Sequence, residues 1–289
     1  MGSTPGDPEL LIFDLPEAGR LVCYQWGKAD AACTALCVHG LTRNGRDFDF
    51  LASALAAGCR VLCPDMPGRG RSDWLKDPAG YNYPAYVATV DFLLRAMNIT
   101  SLDWIGTSMG GIIGMMMAGV RPGLIQKLVI NDIGCLVSAA GIRRIMSNPP
   151  APPCPSLAEA ETTLRERCAP FGIHEEAHWQ HLFRYGLQER NGCVYPAFDP
   201  AILGGYAKDR TKEAEVKDLD LWSLWEPVTK IPVLLIRGSE SDILTRATAL
   251  EMQARHPRLT LREFEHAGHA PALMDASQIT MIRDWLKAA

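Results

Sequence analysis

Short apolar segments alternate with stretches of helical length along most of the chain. The apolar runs lie at residues 35–38, 60–63, 102–106, 127–131, 232–236 and 259–264, and most are bounded by Gly, Pro or Asp. The stretches of helical length lie at residues 46–57, 84–97, 109–120, 245–255 and 276–287. This alternation predicts an α/β fold in which a mostly parallel, doubly wound sheet carries helices on both faces. Two further apolar stretches on either side of residues 17–19 predict an N-terminal hairpin.

One segment, residues 135–228, interrupts this alternation. It contains no strand-like run, and the sequence "SNPPAPPCPS" at 147–156 is incompatible with the interior of a helix or strand. A connection of roughly 90 residues is too long for a plain loop. We therefore expect an inserted helical cap over the carboxyl edge of the sheet, where ligands bind in open α/β sheets. The core would then consist of residues 1–134 and 229–289.

The composition excludes several classes of partner. Hydrophobic residues make up 47% of the 289 residues and charged residues 21%, with a net charge of −4 and no basic cluster. Nucleic-acid binding is therefore not expected. No run approaches the roughly 18 apolar residues of a transmembrane helix, and the N-terminus lacks the features of a signal peptide. We expect a cytoplasmic protein that acts on a small molecule without membrane association; the sequence leaves the oligomeric state open.

The nine cysteines are an odd and large number. Cys33, Cys37, Cys59 and Cys63 lie in or beside apolar runs, which favours buried thiols in a reducing compartment. The two C-x3-C pairs leave a structural zinc site or disulfides as alternatives.

The segment Gly106-Thr107-Ser108-Met109-Gly110 joins an apolar run to a stretch of helical length. In a G-x-S-x-G turn the serine adopts strained dihedral angles that raise its hydroxyl above the sheet, and glycine on both sides lets the backbone pass closely. The following helix directs free amides and its positive end at any oxyanion formed there. Ser108 is therefore the predicted nucleophile.

A serine nucleophile requires a base and a carboxylate that orients it. His269 follows the last strand by a short loop and is the predicted base, with His266 in the same loop as the alternative. Asp242 follows the penultimate strand and is the predicted acid. Asp132 ends the strand before the cap and is the alternative acid, or a residue that braces the cap or contacts substrate.

These motifs together resemble the α/β-hydrolase fold family, in particular its capped esterases, lactonases and C–C bond hydrolases. The stretches that carry the resemblance are "HGLTRNGRDF", "CPDMPGRGRSD", "GTSMGG", "GSESD" and "AGHAP". Ser108, Asp242 and His269 also follow the chain order of that family's catalytic triad. The resemblance extends over residues 36–275, apart from the variable cap.

The resemblance implies further roles for residues around the nucleophile. His39 and Gly40 would open the oxyanion loop, and the amides of Leu41 and Met109 would be the oxyanion donors. His39 would orient the loop without acting as a base. Arg69 stands where relatives often carry histidine. No cofactor is implied, and a serine at 108 disfavours the dehalogenase and epoxide hydrolase branches, which need a carboxylate nucleophile.

Residues in and near the cap are candidates for substrate contacts. Arg43 follows the oxyanion loop and would meet an acidic substrate group, and the aromatic side chains of Trp179, Phe183 and Trp222 would line an apolar pocket. The cap also contains "HEEAH" at 174–178, which fits the H-E-x-x-H zinc signature. No third ligand is evident, so we interpret it as an exposed helix face and expect no metal.

The predicted function is that of a serine hydrolase of a small ester or lactone. A thioesterase or C–C bond hydrolase would use the same triad, and a binding protein on the same fold is an alternative from a different class. The sequence does not name the substrate, because the cap sets specificity and the fold hosts many activities.

Overall fold

An eight-stranded sheet forms the centre of the computed structural model, which describes residues 6–16, 18–147, 153–207 and 216–288. The strands are β1 (Glu9–Leu15), β2 (Gly19–Trp26), β3 (Cys33–Val38), β4 (Cys59–Asp65), β5 (Leu102–Thr107), β6 (Ile125–Asn131), β7 (Leu136–Val137), β8 (Leu187–Arg190), β9 (Cys193–Pro196), β10 (Leu219–Asp220), β11 (Val233–Gly238) and β12 (Leu259–Phe264). The helices are α1 (Asp49–Leu55), α2 (Tyr83–Ala96), α3 (Met109–Val120), α4 (Ala139–Ser147), α5 (Leu157–Cys168), α6 (Glu176–Gly186), α7 (Ala201–Ala207), α8 (Trp225–Val228), α9 (Arg246–Ala254) and α10 (Ala276–Lys287). Short 3-10 helices lie at Gly45–Phe48, Pro78–Gly80, Ala169–Phe171 and Trp222–Leu224.

The order of strands in the sheet is β1-β2-β4-β3-β5-β6-β11-β12. The first three strands pair antiparallel, and every pair from β4 to β12 is parallel. Six parallel strands, β4, β3, β5, β6, β11 and β12, therefore end at one edge, and the loops after β5, β6, β11 and β12 meet there. The predicted mostly parallel sheet is confirmed, and β1 and β2 form the predicted hairpin, although Glu17 in its turn lies outside the described residues.

Two apolar layers cover the faces of the sheet. One layer includes side chains of α2, α3, α8 and α9, and the other includes side chains of α1 and α10. Strand β11 is buried along its whole length because both faces are covered, which explains why it reads as a continuous apolar run. Among the described residues, no helix is both long and apolar enough to cross a bilayer.

The segment predicted as the cap, residues 135–228, connects β6 to β11, and its described residues carry helices α4 to α8. Its role as a cap stays a prediction. The segment also contains short strands that the sequence interpretation missed: β8 and β9 form a hairpin, and β7 pairs with β10. The hairpin turns at Asn191 and Gly192, whose φ angles of 52° and 73° suit the Asn-Gly turns of two-residue hairpins. Of the Pro-rich stretch, residues 148–152 lie outside the described residues.

Two of the cysteines differ from the expectation of buried thiols. Cys33 and Cys59 are joined in a disulfide, whereas Cys37 and Cys63 are free and buried. The reason is the register of the sheet: Cys33 and Cys59 are opposite each other on β3 and β4, with Cα atoms 4.6 Å apart, within the usual range for a disulfide.

Candidate active site

Ser108 occupies a sharp turn between β5 and α3. Its φ of 51° and ψ of −113° lie outside the regions that L-residues normally adopt. The two flanking glycines are required sterically, because a Cβ on Gly106 would lie 2.3 Å from the carbonyl oxygen of Gly110, and one on Gly110 would lie 1.9 Å from that of Val38. The amide of Ser108 donates to the carbonyl of Asn131 at 2.9 Å, which ties the turn to the end of β6.

His269 lies beside the Ser108 hydroxyl. Its Nε2 is 2.8 Å from Ser108 Oγ, a distance at which the imidazole accepts the hydroxyl proton. His269 belongs to the loop after β12, which reaches the same sheet edge as the turn after β5. His266, the alternative base in that loop, has an exposed side chain. The structure therefore brings Ser108 and His269 together.

Asp132, not Asp242, is the carboxylate that orients the imidazole. Asp132 Oδ2 lies 2.8 Å from His269 Nδ1, and the Asp132 side chain is fully buried. Ser241 Oγ donates to the same carboxylate at 2.6 Å, and the amide of Gly238 donates at 2.9 Å. These donors come from the end of β11 and the loop after it, so the neighbouring strand holds the carboxylate in place.

The prediction that Asp242 contacts the histidine is therefore corrected. Its carboxylate accepts two hydrogen bonds from Arg144 of α4, at 2.5 and 2.8 Å. The bonds from Arg144 also hold the pKa of Asp242 below its usual value. The physical reason is the direction of the loop after β11: it turns Ser241 inward to Asp132 and leaves Asp242, the next residue, facing the cap segment.

The predicted oxyanion donors flank the nucleophile. Met109 is the first residue of α3, and a Cβ on Gly40, next to Leu41, would lie 3.8 Å from the Cβ of Ser108. Among the hydrogen bonds found in the described ranges, neither the Leu41 amide nor the Met109 amide donates to a protein acceptor. Two such amides near a serine hydroxyl match the donors that stabilise the oxyanion in acyl transfer.

Two buried side chains position the oxyanion loop. The amide of Met66 donates to His39 Nε2 at 3.0 Å, so Nδ1 carries the proton and donates to the Gly40 carbonyl at 2.7 Å. Burial lowers the pKa of His39 to about 3, which keeps the ring neutral. Arg69 Nε donates to the Leu41 carbonyl at 2.9 Å, and Arg69 Nη2 lies 3.6 Å from Met109 Sδ. Arg69 thus contacts both residues whose amides are the predicted oxyanion donors.

A cavity of about 170 Å³ lies between the Ser108–His269 pair and the cap segment. Its apolar wall comes largely from the cap segment, with Ile145, Leu164, Phe171, Phe198 and Leu203. Its polar wall contains the guanidinium groups of Arg43, Arg144 and Arg167. The cavity is smaller than the roughly 300–1,000 Å³ of clefts that hold drug-sized ligands, so only a small group fits inside it.

Arg43 is the one predicted substrate contact outside the triad that lines this cavity. It is buried and donates to Asp47 through both Nε and Nη2, each at 2.7 Å. Its charge is therefore already balanced within the protein. Arg144 makes a similar pair with Asp242 but is exposed, and its Nη1 group is not used in that pair.

The aromatic residues predicted to line the pocket lie elsewhere, so that expectation is corrected. Trp179 stacks on Phe183 with ring centroids 6.0 Å apart, in an apolar cluster that the cap segment shares with Met274 of the core. Trp222 packs against the core near α9, with the Arg255 guanidinium 4.1 Å above its ring. Spacing along the cap helices could not show which helix face turns toward Ser108, because that depends on how the helices dock.

The comparisons with known proteins agree with this architecture. A family model described as "Alpha/beta hydrolase family" matches residues 35–278. The chain belongs to the alpha/beta hydrolase family. The match includes the turn at Ser108 and the loops that carry Asp132 and His269.

The relatives of this hydrolase include enzymes and solved structures of similar length. It is 36% identical over 275 residues to a 3-hydroxybutyrate-oligomer hydrolase of Cupriavidus necator, covering 93% of this chain and 94% of that protein. A putative hydrolase from Rickettsia typhi is 33% identical, with a TM-score of 0.84 and 98% of both chains covered. An alpha/beta hydrolase from Novosphingobium aromaticivorans is 31% identical, with a TM-score of 0.85, 97% of this chain covered and 98% of that one.

The sequence analysis did not predict the roles of two residues near this hydrolase's site, Ser241 and Arg69. Ser241 donates to Asp132, and its only sequence signal was its place directly before the favoured Asp242. Arg69 was noted as a departure from the histidine that relatives often carry, but its contact with Leu41 depends on the folded loop.

Proposed function

We propose that this hydrolase cleaves the ester bonds of short oligoesters of hydroxy acids, with Ser108 as the nucleophile. The observation that carries the proposal is the continuous chain of contacts from Ser108 Oγ through His269 to the buried Asp132, which opens into a small cavity. His269 Nε2 takes the proton as Ser108 Oγ attacks the ester carbonyl, and the amides of Leu41 and Met109 stabilise the oxyanion. The protonated imidazole then gives its proton to the leaving alcohol.

Water completes the cycle. It attacks the acyl-serine while His269 accepts its proton, and the serine oxygen leaves as Ser108 regains that proton. The products are one acid and one alcohol, and no cofactor takes part. Asp132 stabilises the imidazolium at both stages through its bond to Nδ1.

The substrate class rests on the relative and on the cavity. The relative from Cupriavidus necator is a 3-hydroxybutyrate-oligomer hydrolase and matches almost the full length of this chain. Oligomers of a hydroxy acid have small repeating acyl units and a free carboxylate at one end. The cavity fits one small acyl unit, and the exposed Arg144 on its wall is available to a terminal carboxylate.

The experiment is a comparison of turnover on dimers and trimers of 3-hydroxybutyrate, their methyl esters, a simple lactone, a thioester and a C–C hydrolase substrate. We expect kcat/KM to be highest for the free-acid oligomers, and Ser108→Ala to lower it about 10³-fold or more. A fluorophosphonate that labels Ser108 confirms that the preparation is competent. A labelled enzyme that leaves the oligomers intact while consuming the lactone, thioester or C–C substrate would overturn the proposal.

A further inference from the structure

Three potential metal ligands meet where the cap segment contacts the core. Glu175 lies directly before α6, His178 lies in the first turn of α6, and Asp275 lies directly before α10. One ligand atom from each of these side chains lies within 4.8 Å of the others. None of the three lines the cavity above Ser108, so the cluster is separate from the candidate active site.

The cluster differs from the zinc signature noted in the sequence. His174 is exposed and precedes α6, so it does not share a helix face with His178. The expectation of an exposed helix face is wrong for His178, because this residue is buried and only 4% exposed. The third group comes from Asp275, about 100 residues further along the chain, which explains why no third ligand was evident in the sequence.

The imidazole of His178 has a buried nitrogen without a hydrogen-bond partner. Its Nδ1 lies 3.4 Å from Asp275 Oδ1 but forms no hydrogen bond with any described residue. A buried polar atom without a partner costs about 1–3 kcal/mol. The Phe50 ring packs against the imidazole in a T-shaped arrangement, with ring centroids 4.7 Å apart, and offers no hydrogen-bond partner to its nitrogen.

The two carboxylates are not used as helix caps. Glu175 and Asp275 are the N-cap residues of α6 and α10, yet neither side chain makes a capping hydrogen bond. Asp is among the residues that cap most effectively, so its carboxylate would normally be bonded to amides of the first turn. Both carboxylates are instead close to His178, and together they offset the positive ends of the two helices.

The spacing fits a small divalent ion. Ligands about 2.0–2.1 Å from a tetrahedral Zn²⁺ lie about 3.4 Å from one another, and His178 Nδ1 and Asp275 Oδ1 are 3.4 Å apart. Glu175 is exposed and its side chain has three rotatable bonds, so a change of rotamer can close the remaining gap. We propose that Glu175, His178 and Asp275 form a binding site for Zn²⁺ or a similar first-row divalent ion, with water at the fourth position.

The bound ion would act as a clamp between the cap segment and the core. Glu175 and His178 belong to the cap segment, whereas Asp275 begins the last helix of the core. Met274, the residue before Asp275, packs in the same apolar cluster as Trp179, the residue after His178. Binding of an ion to the folded state alone stabilises that state by mass action, so the clamp is measurable as thermal stability.

The test uses the full chain after treatment with a chelator, titrated with ZnCl₂ and with CoCl₂. We expect one ion per chain, a rise in Tm on addition of the ion, and a Co²⁺ spectrum without the charge-transfer band of thiolate ligands. Glu175→Gln and Asp275→Asn should each weaken binding at least about tenfold. His174→Ala is the matched control and should bind as the wild type does.

Glu175 is exposed, so Glu175→Gln tests the site without a risk to folding, and circular dichroism verifies the fold of Asp275→Asn. The proposal is overturned if neither ion binds saturably, or if Glu175→Gln and Asp275→Asn bind as tightly as the wild type. A thiolate band in the Co²⁺ spectrum would assign the ion to cysteines and would overturn it as well.

Discussion

At the scale of single residues, the identity of the acid decides how the imidazole is oriented. Asp132 is fully buried and accepts bonds from His269, Ser241 and the Gly238 amide, whereas Asp242 is half-exposed and bound to Arg144. Only Asp132 can fix the tautomer of His269 and stabilise its positive form. Both aspartates follow strands that end at the same sheet edge, so their positions in the chain do not separate them.

We expect Asp132→Asn to lower kcat by about 10³–10⁴-fold, because an amide stabilises the wrong tautomer of His269 and carries no charge to offset the imidazolium. The measurement is kcat on the preferred ester, with Tm recorded for each variant.

Asp242→Asn is the matched control for that change. It loses the ion pair with Arg144, which is exposed and contributes at most about 1 kcal/mol to stability. It should retain most of the wild-type kcat. The opposite result, an inactive Asp242→Asn beside an active Asp132→Asn of equal Tm, would restore Asp242 as the acid.

The same pair of residues shows what the sequence determines about the site. The fold was predicted from the alternation of strands and helices and from the turn at Ser108. His269 was predicted from its place in the loop after the last strand. Each of these signals is local in the sequence. The acid depends on which way the loop after β11 turns its side chains, and one residue separates the inward Ser241 from the outward Asp242. Such a direction is set by packing between distant segments and cannot be derived from periodicity.

At the scale of elements, the unit formed by β5, the turn and α3 depends on close backbone approach. A Cβ on Gly106 would meet the carbonyl carbon and oxygen of Gly110. These are backbone atoms, so no side-chain rotation can move them away. The indole of Trp104 donates to the same Gly110 carbonyl at 3.0 Å, so that group is held from two sides. The unit therefore has no room to adapt.

We expect Gly106→Ala to lower the free energy of unfolding by about 3 kcal/mol, because the added methyl overpacks a rigid turn. Gly58→Ala is the control: no heavy atom lies within 4 Å of its added Cβ, and the change should stay within about 0.5 kcal/mol. Denaturant unfolding measures both. If the free energy of unfolding fell equally in the two variants, the close backbone approach at Gly106 would carry no energetic cost.

In the cap segment, the β8–β9 hairpin and the orientation of the helices were not predicted from the sequence. The Asn-Gly pair at 191–192 is a strong signal for a two-residue hairpin, yet the flanking strands are only four residues each and not strongly apolar. The sequence indicates helices of the cap segment near the site, but it does not indicate the rotation of α5 and α6 about their own axes. This is why Trp179 and Phe183 were expected in the pocket and are instead packed against each other.

At the scale of the whole molecule, two parts of the chain line the cavity above Ser108. The core supplies Ser108, His269, Asp132 and the amides of Leu41 and Met109, and the cap segment supplies most of the apolar wall of the cavity. Substrate preference should therefore change with residues that line the cavity and not with aromatic residues that only stabilise the fold. Leu203 on α7 and Trp222 near α9 separate these two cases.

We expect Leu203→Ala to raise the ratio of kcat/KM for longer acyl chains to that for shorter ones by about tenfold, because the lost side chain enlarges the cavity by the space of a few methylenes. Trp222→Ala should lower Tm through lost packing with the core and the Arg255 guanidinium, but leave the ranking of esters unchanged. A series of aryl esters of increasing acyl length measures both variants. A changed ranking in Trp222→Ala together with an unchanged ranking in Leu203→Ala would show that the acyl chain binds on the α9 side of the molecule and not in the cavity above Ser108.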